Sequence, residues 1–236
     1  MVLTQRVNWF VPALAGEGAT RMRTPTMCRK LFRRDENGSV LVEVTVMIPI
    51  IFMVVLGSVD FLFAFYQWNA AAKAVQLGAR LAAVSTPPAN GLTNLSTAVA
   101  GSGALPSPVA AMPYFKVTCV AGTCSCAGTC TGVSGYTATA MNQIVYGRGS
   151  AACNDVTSVY NAGMCDFFPR IAPANVRIVY EQTGLGYAGR FGGPVPTITV
   201  SLQNLPFQFY FLGGLMGFGN IQIPASATTT GEDLSG

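Results

Sequence analysis

Apolar and polar positions along this chain fall into three successive patterns. Residues 44–59 are sixteen in a row without a charge, Val-Thr-Val-Met-Ile-Pro-Ile-Ile-Phe-Met-Val-Val-Leu-Gly-Ser-Val. Asp60 interrupts the run and residues 61–66 resume it, so the apolar stretch 44–66 is 23 residues long. About 20 residues cross a bilayer as a helix, and a transmembrane helix is the expectation. Pro49 does not oppose it, because membrane helices tolerate proline, often as a kink. The spacing then becomes that of an amphipathic helix. Phe61, Phe65, Trp68, Ala72, Val75, Ala79 and Ala82 recur at steps of four and three, while Lys73, Gln76 and Arg80 lie on another face. Pro87 and Pro88 end the helix, since the residue before a proline disfavours helical backbone. One helix over residues 39–85 would run roughly 70 Å at about 1.5 Å per residue. Its stripe needs a cover, either this chain's own sheet or a neighbouring subunit.

The third pattern is short and β-like. Residues 86–113 are rich in Gly, Pro, Ser, Thr and Ala and read as linker, with a short helix around 92–99. Strands are expected at 114–120, 176–181, 197–202 and 221–228. In Thr197-Ile-Thr-Val-Ser-Leu polar and apolar residues alternate with β-branching, the mark of a half-buried strand. The glycines of 183–193 would join it to 176–181 as a long-looped hairpin. The fold class is therefore α+β: a long N-terminal helix, transmembrane in its first half, and an antiparallel sheet. The expected division is a basic leader at 1–38, the helix at 39–85 and an α+β body at 86–236.

Composition sharpens this picture. Half of the 236 residues are hydrophobic and a tenth are charged, against about a quarter charged in soluble domains. The net charge of +4 belongs to residues 1–38, which hold Arg6, Arg21, Arg23, Arg29, Lys30, Arg33 and Arg34; the remainder is neutral. The positive-inside rule then puts the N-terminus in the cytoplasm and everything beyond Tyr66 outside. A nucleic-acid partner is not expected, because the body carries no basic patch. Met22 and Met27 are further candidate start sites within the leader. The rival reading of the span, a cleaved signal peptide, wants a small-x-small cleavage site, for which Val59-Asp60-Phe61 is a poor substitute.

The chain has no histidine, which removes the commonest general base and the commonest metal ligand. Of seven cysteines, Cys28 lies in the leader, and Cys119, Cys124, Cys126, Cys130, Cys153 and Cys165 share one window beyond the span. Six on one side of a membrane point to disulfides in an oxidising compartment. The spacing lacks the second close Cys or His pair of a structural zinc site. Neither metal nor other cofactor is expected, and the pairing stays open.

The sharpest feature is Gly38-Ser39-Val40-Leu41-Val42-Glu43, between the basic cluster Arg29, Lys30, Arg33, Arg34 and the apolar span. It resembles the processing site of type IV pilins, in which a membrane prepilin peptidase cuts after the glycine and glutamate stands fifth in the mature chain. The cut would fall between Gly38 and Ser39. The resemblance implies that Glu43 pairs with the new N-terminal amine of a neighbouring subunit; a lone charge in hydrocarbon is costly and wants such a partner. Gly38-Ser-Val-Leu-Val-Glu-Val-Thr-Val-Met-Ile-Pro, then Gly57-Ser-Val-Asp60-Phe61 and Ala70-Ala-Ala-Lys-Ala-Val-Gln-Leu-Gly-Ala-Arg80, resemble the start of TadE/TadG-like proteins of tight-adherence pili. The likeness is strong over residues 38–85, weaker over the closing strands, and absent from the cysteine window. The long leader, Val44 where major pilins of this system have tyrosine, and the chain's size favour a minor pilin or pseudopilin.

The resemblance implies a pilin-like fold, a single-pass inner-membrane protein with a periplasmic domain, and as partners the prepilin peptidase and other pilins. Glu43, Asp60, Phe61, Phe65 and Trp68 are the expected subunit-assembly residues. Asp60, about 26 Å beyond Glu43 on a helix of about 1.5 Å rise, reads as an interfacial acid or, more sharply, as a contact to a basic residue of a partner helix. The expected function is structural, in pilus biogenesis and adhesion. The alternative is a signal-anchored periplasmic binding or enzymatic domain, but Asp155, Asp166, Glu181, Glu232 and Asp233 are scattered and no catalytic motif surrounds them.

Overall fold

An apolar run followed by an alanine-rich stretch of good helix formers forms one long helix in the computed structural model, which describes residues 36–95, 107–108, 113–153, 161–185, 187–188, 195–217 and 221–231. The helix, α1, spans Glu36–Val84 and passes through Pro49. It begins three residues before the expected start at Ser39. The stretch Val40–Val84 is long and apolar enough to cross a membrane. The chain forms two units, Met1–Ile51 and Phe52–Gly236. In the first, the described residues are the opening turns of α1, with Val40, Leu41, Val42 and Val44 exposed.

The second unit is built on a five-stranded antiparallel sheet. Its strands are β2 (Phe115–Val120), β3 (Thr123–Gly128), β4 (Val176–Glu181), β6 (Thr197–Leu202) and β7 (Ser226–Thr230), in the order β3-β2-β4-β6-β7. Two short strands, β1 (Ser107–Pro108) and β5 (Tyr187–Ala188), pair separately. The strands expected at 176–181 and 197–202 have those bounds and pair antiparallel, Val176 opposite Leu202 and Glu181 opposite Thr197. The strand expected at 221–228 starts later, at Ser226, because Gln222 makes an isolated bridge to Pro206 instead. The expected helix at 92–99 is a 3-10 turn over Leu92–Asn94; residues 96–99 of it lie outside the described residues, as do 186 and 189–193 of the expected 183–193 connection. Three short helices were not anticipated: α2 (Ala138–Tyr146), α3 (Met164–Phe167) and α4 (Leu212–Met216).

Period-two alternation aims Phe115, Val117 and Cys119 of β2, Val176, Ile178 and Tyr180 of β4, and Ile198 and Val200 of β6 into one core. The second half of α1 supplies the opposite wall through Ala71, Ala74, Val75, Ala79 and Ala82. Small side chains let the helix axis approach the sheet. Met141, Ile144 and Val145 of α2 and Met164 of α3 complete the core. The α2 and α3 ends meet backbone to backbone: Gly147, at φ 93°, bridges Ala162, and a Cβ on Gly163 would overlap the main chain of residues 145–147.

The expected apolar stripe is corrected in its first half. Val75, Ala79 and Ala82 are buried, but Phe61, Phe65 and Trp68 are exposed, Phe61 at 67 %. The covered face is displaced by one residue and runs through Asp60, Gln67, Ala71 and Ala74. The reason is polar: this chain folds a loop onto Asp60 and Gln67, and a helix that turns those two inward turns the aromatics out.

Candidate functional site

Gly38 and Glu43 sit on α1 within a stretch whose described side chains are exposed. A Cβ built on Gly38 would meet nothing within 4 Å. Glu43 has only apolar residues beside it in sequence from Val40 to Val44, and among the described residues no cation pairs with it. The Ser39 side chain, the basic cluster and Cys28 lie outside the described residues.

The most organised polar geometry lies further along α1. Asp60 is buried, and its carboxylate accepts three backbone N–H groups in succession: Tyr210 at 3.0 Å, Phe211 at 2.8 Å and Leu212 at 2.6 Å. Two turns on, Gln67 is equally buried. Its Oε1 accepts Gln208 N at 3.0 Å and Arg170 Nη1 at 2.8 Å, while its Nε2 donates to Gln208 O at 2.9 Å. Arg170 Nη2 donates to Pro206 O at 2.8 Å. Partial burial lowers the Arg170 pKa from its ordinary value. Trp68 Nε1 donates to Pro224 O at 3.1 Å.

These contacts all hold the excursion between β6 and β7. Its stem is closed by Phe207 N donating to Ile221 O and Ile223 N to Leu205 O. From Phe207 it reads Phe-Gln-Phe-Tyr-Phe-Leu-Gly-Gly-Leu-Met. A residue run this apolar has few polar side chains of its own to satisfy its backbone, and α1 supplies them. Tyr210 stacks obliquely on Phe63 with ring centroids 5.0 Å apart. Asp60 is therefore neither a solvated interfacial acid nor free for a partner helix: its carboxylate is taken up within its own chain. Sequence reasoning missed Gln67, Arg170 and the 207–212 run. The available signal was a polar pair seven residues apart on one face of an apolar helix, together with an aromatic run long enough to meet it.

The six cysteines beyond α1 form three disulfides, Cys119–Cys124, Cys126–Cys130 and Cys153–Cys165. Cys119 and Cys124 are direct cross-strand partners in the β2–β3 hairpin. Cys126–Cys130 closes the exit from β3, and Cys165 lies in α3. The 119–130 segment is thus tied to itself rather than to Cys153 or Cys165.

Residues 38–80 match the family model described as TadE-like protein. No curated protein and no solved structure matches the chain. The matched residues include Gly38, Glu43, Asp60 and Gln67 and stop short of the sheet. The likeness to TadE-like proteins is thus confined to α1 from Gly38 to Arg80.

Proposed function

We propose that the protein is a pilin-like structural subunit of a tight-adherence pilus system, not an enzyme, made as a precursor and cut between Gly38 and Ser39 by a prepilin peptidase. Its leader would face the cytoplasm, α1 would anchor it in the inner membrane, and the sheet domain with its disulfides would stand in the periplasm. Other pilins of the system are its partners, and adhesion is the process it serves. The observation that carries this reading is Glu43: an exposed carboxylate in an apolar helical surface, five residues after a glycine and within the TadE-like match. In hydrocarbon it needs a cation, and a new amine at Ser39 of a neighbouring subunit would be one.

Gly38→Ala tests the processing step cleanly, because the added methyl has open space and the helix tolerates alanine better than glycine. Co-expression with the peptidase should convert the wild-type chain to a shorter, still membrane-bound form and leave Gly38→Ala largely full-length. Equal conversion of both would refute the assignment. Glu43→Ala should still insert but fail to co-purify with partner pilins; unaltered assembly would remove Glu43 from that role.

A further inference from the structure

We propose that the aromatic loop 207–216 is itself a membrane-seated element: with the neighbouring face of α1 it forms a collar that rests in the outer interface of the bilayer and fixes how far the sheet domain stands from it. The inference rests on the membrane-anchor reading of α1 and adds a second contact that this reading does not contain.

Three observations carry it. First, a non-helical segment can lie at membrane depth only if its backbone polar groups are satisfied by protein. Here Asp60 accepts the N–H groups of Tyr210, Phe211 and Leu212, and Gln67 takes both N–H and C=O of Gln208. Two buried helix side chains thus satisfy four amide N–H groups of the loop, which meets that requirement. Second, loop and helix present exposed aromatic side chains at one level along α1, around its circumference. Tyr210 and Phe211 are exposed beside Phe63, and Phe61, Phe65 and Tyr66 are exposed on the same part of α1. Aromatic rings concentrate at the two membrane interfaces, and clustered exposed apolar side chains mark a contact surface. Third, the surface is polarised along α1. From Phe52 to Val59 the exposed side chains are apolar except Ser58, then come the aromatics, and further along α1 Lys73 and Arg80 are the first exposed cations. That is the order of hydrocarbon, interface and phosphate layer met on leaving a bilayer. The occupant is therefore the lipid interface.

Depth-resolved fluorescence of the full chain tests this. Both native tryptophans are removed (Trp9→Phe, Trp68→Phe) and a single reporter is placed either in the loop (Tyr210→Trp) or in the helix (Phe52→Trp). Each protein is reconstituted in phosphatidylcholine vesicles whose acyl chains carry bromine near the headgroup or near the bilayer centre. The reporter at position 210 should be quenched about twofold, more by the shallow bromines than by the deep ones, at every protein-to-lipid ratio. No lipid quenching at 210 with normal quenching at 52 overturns the collar and leaves the anchor standing. Protection at 210 from a water-soluble quencher only at high protein-to-lipid ratio, without lipid quenching, shows a second copy on this face and also overturns it. Absence of quenching at 52 overturns the anchor and the collar with it. Asp60→Asn, which removes one of the two carboxylate oxygens, should reduce lipid quenching at 210 by about half while sparing position 52; unchanged quenching at 210 would exclude Asp60 as what holds the loop in place.

Discussion

Gln67→Leu isolates the clamp between α1 and the β6–β7 excursion while keeping side-chain size. The change removes the two neutral hydrogen bonds to Gln208 and the bond from Arg170. A neutral bond contributes about 1 kcal/mol net and one to a charged group about 1.5–3 kcal/mol. The half-exposed guanidinium is placed at the lower end, giving about 3–4 kcal/mol. Leucine at a site 2 % exposed recovers some of this through apolar burial, leaving a net loss of about 2–3 kcal/mol, roughly a hundredfold in a local opening equilibrium. Amide exchange by mass spectrometry or NMR in detergent micelles reads it directly. The amide of Gln208 should exchange about a hundredfold faster, while core amides of β4 and β6 change less than about tenfold. A Gln208 amide within about threefold of wild type would refute the clamp as an energetic unit. Arg170→Met should give a smaller loss, and the double variant less than the sum, since both residues act on one oxygen.

Gly163→Ala should be far more damaging than Gly38→Ala: its Cβ would meet rigid main-chain atoms, Tyr146 C at 2.5 Å among them, and thermal unfolding should show a loss of about 3 kcal/mol. Tyr180→Phe should stabilise by about 1 kcal/mol, because the buried hydroxyl finds no partner among the described residues. Burial raises the Tyr180 pKa, so its neutral form contributes stability that is complete below the unfolded value of about 10 and is lost as pH rises above it; urea midpoints from about pH 9 to 11 should fall less steeply in Tyr180→Phe. A thiol count on the denatured protein purified without reductant should find none of the six cysteines beyond α1 free, and replacing Cys153 and Cys165 by alanine should cost about 3 kcal/mol for a loop of this length. Six reactive thiols would contradict the disulfide assignment.

The parts of this molecule legible in its sequence are those set by local pattern. Uninterrupted apolar composition gave α1, and β-branched alternation in 197–202 gave β6 with its partner β4. The hairpin strand β3 stayed hidden because Thr-Cys-Ser-Cys-Ala-Gly has weak strand character; its pairing is closed by Gly122 in the turn, at φ 85°, and by the Cys119–Cys124 bridge. The face of α1 was misread for a different reason. Aromatic spacing at 61, 65 and 68 pointed to burial, but which face turns inward was decided by tertiary contacts from residues more than a hundred positions away. Hydrophobic periodicity also weighs Asp60 and Gln67 as outward positions, whereas a distant loop with unsatisfied amides makes inward polar residues the favourable choice. The Gly38–Glu43 motif, by contrast, is a local sequence pattern, and among the described residues no cation of this chain pairs with Glu43.

If a prepilin peptidase cuts after Gly38, the helix survives processing and begins at Ser39. The most direct measurement is the N-terminal sequence and intact mass of the protein extracted from membranes of cells that contain the peptidase. The expected chain starts at Ser39, retains all of α1 beyond it, and keeps its sheet domain. A chain that keeps residues 1–38, or one whose N-terminus lies beyond Tyr66, would contradict it.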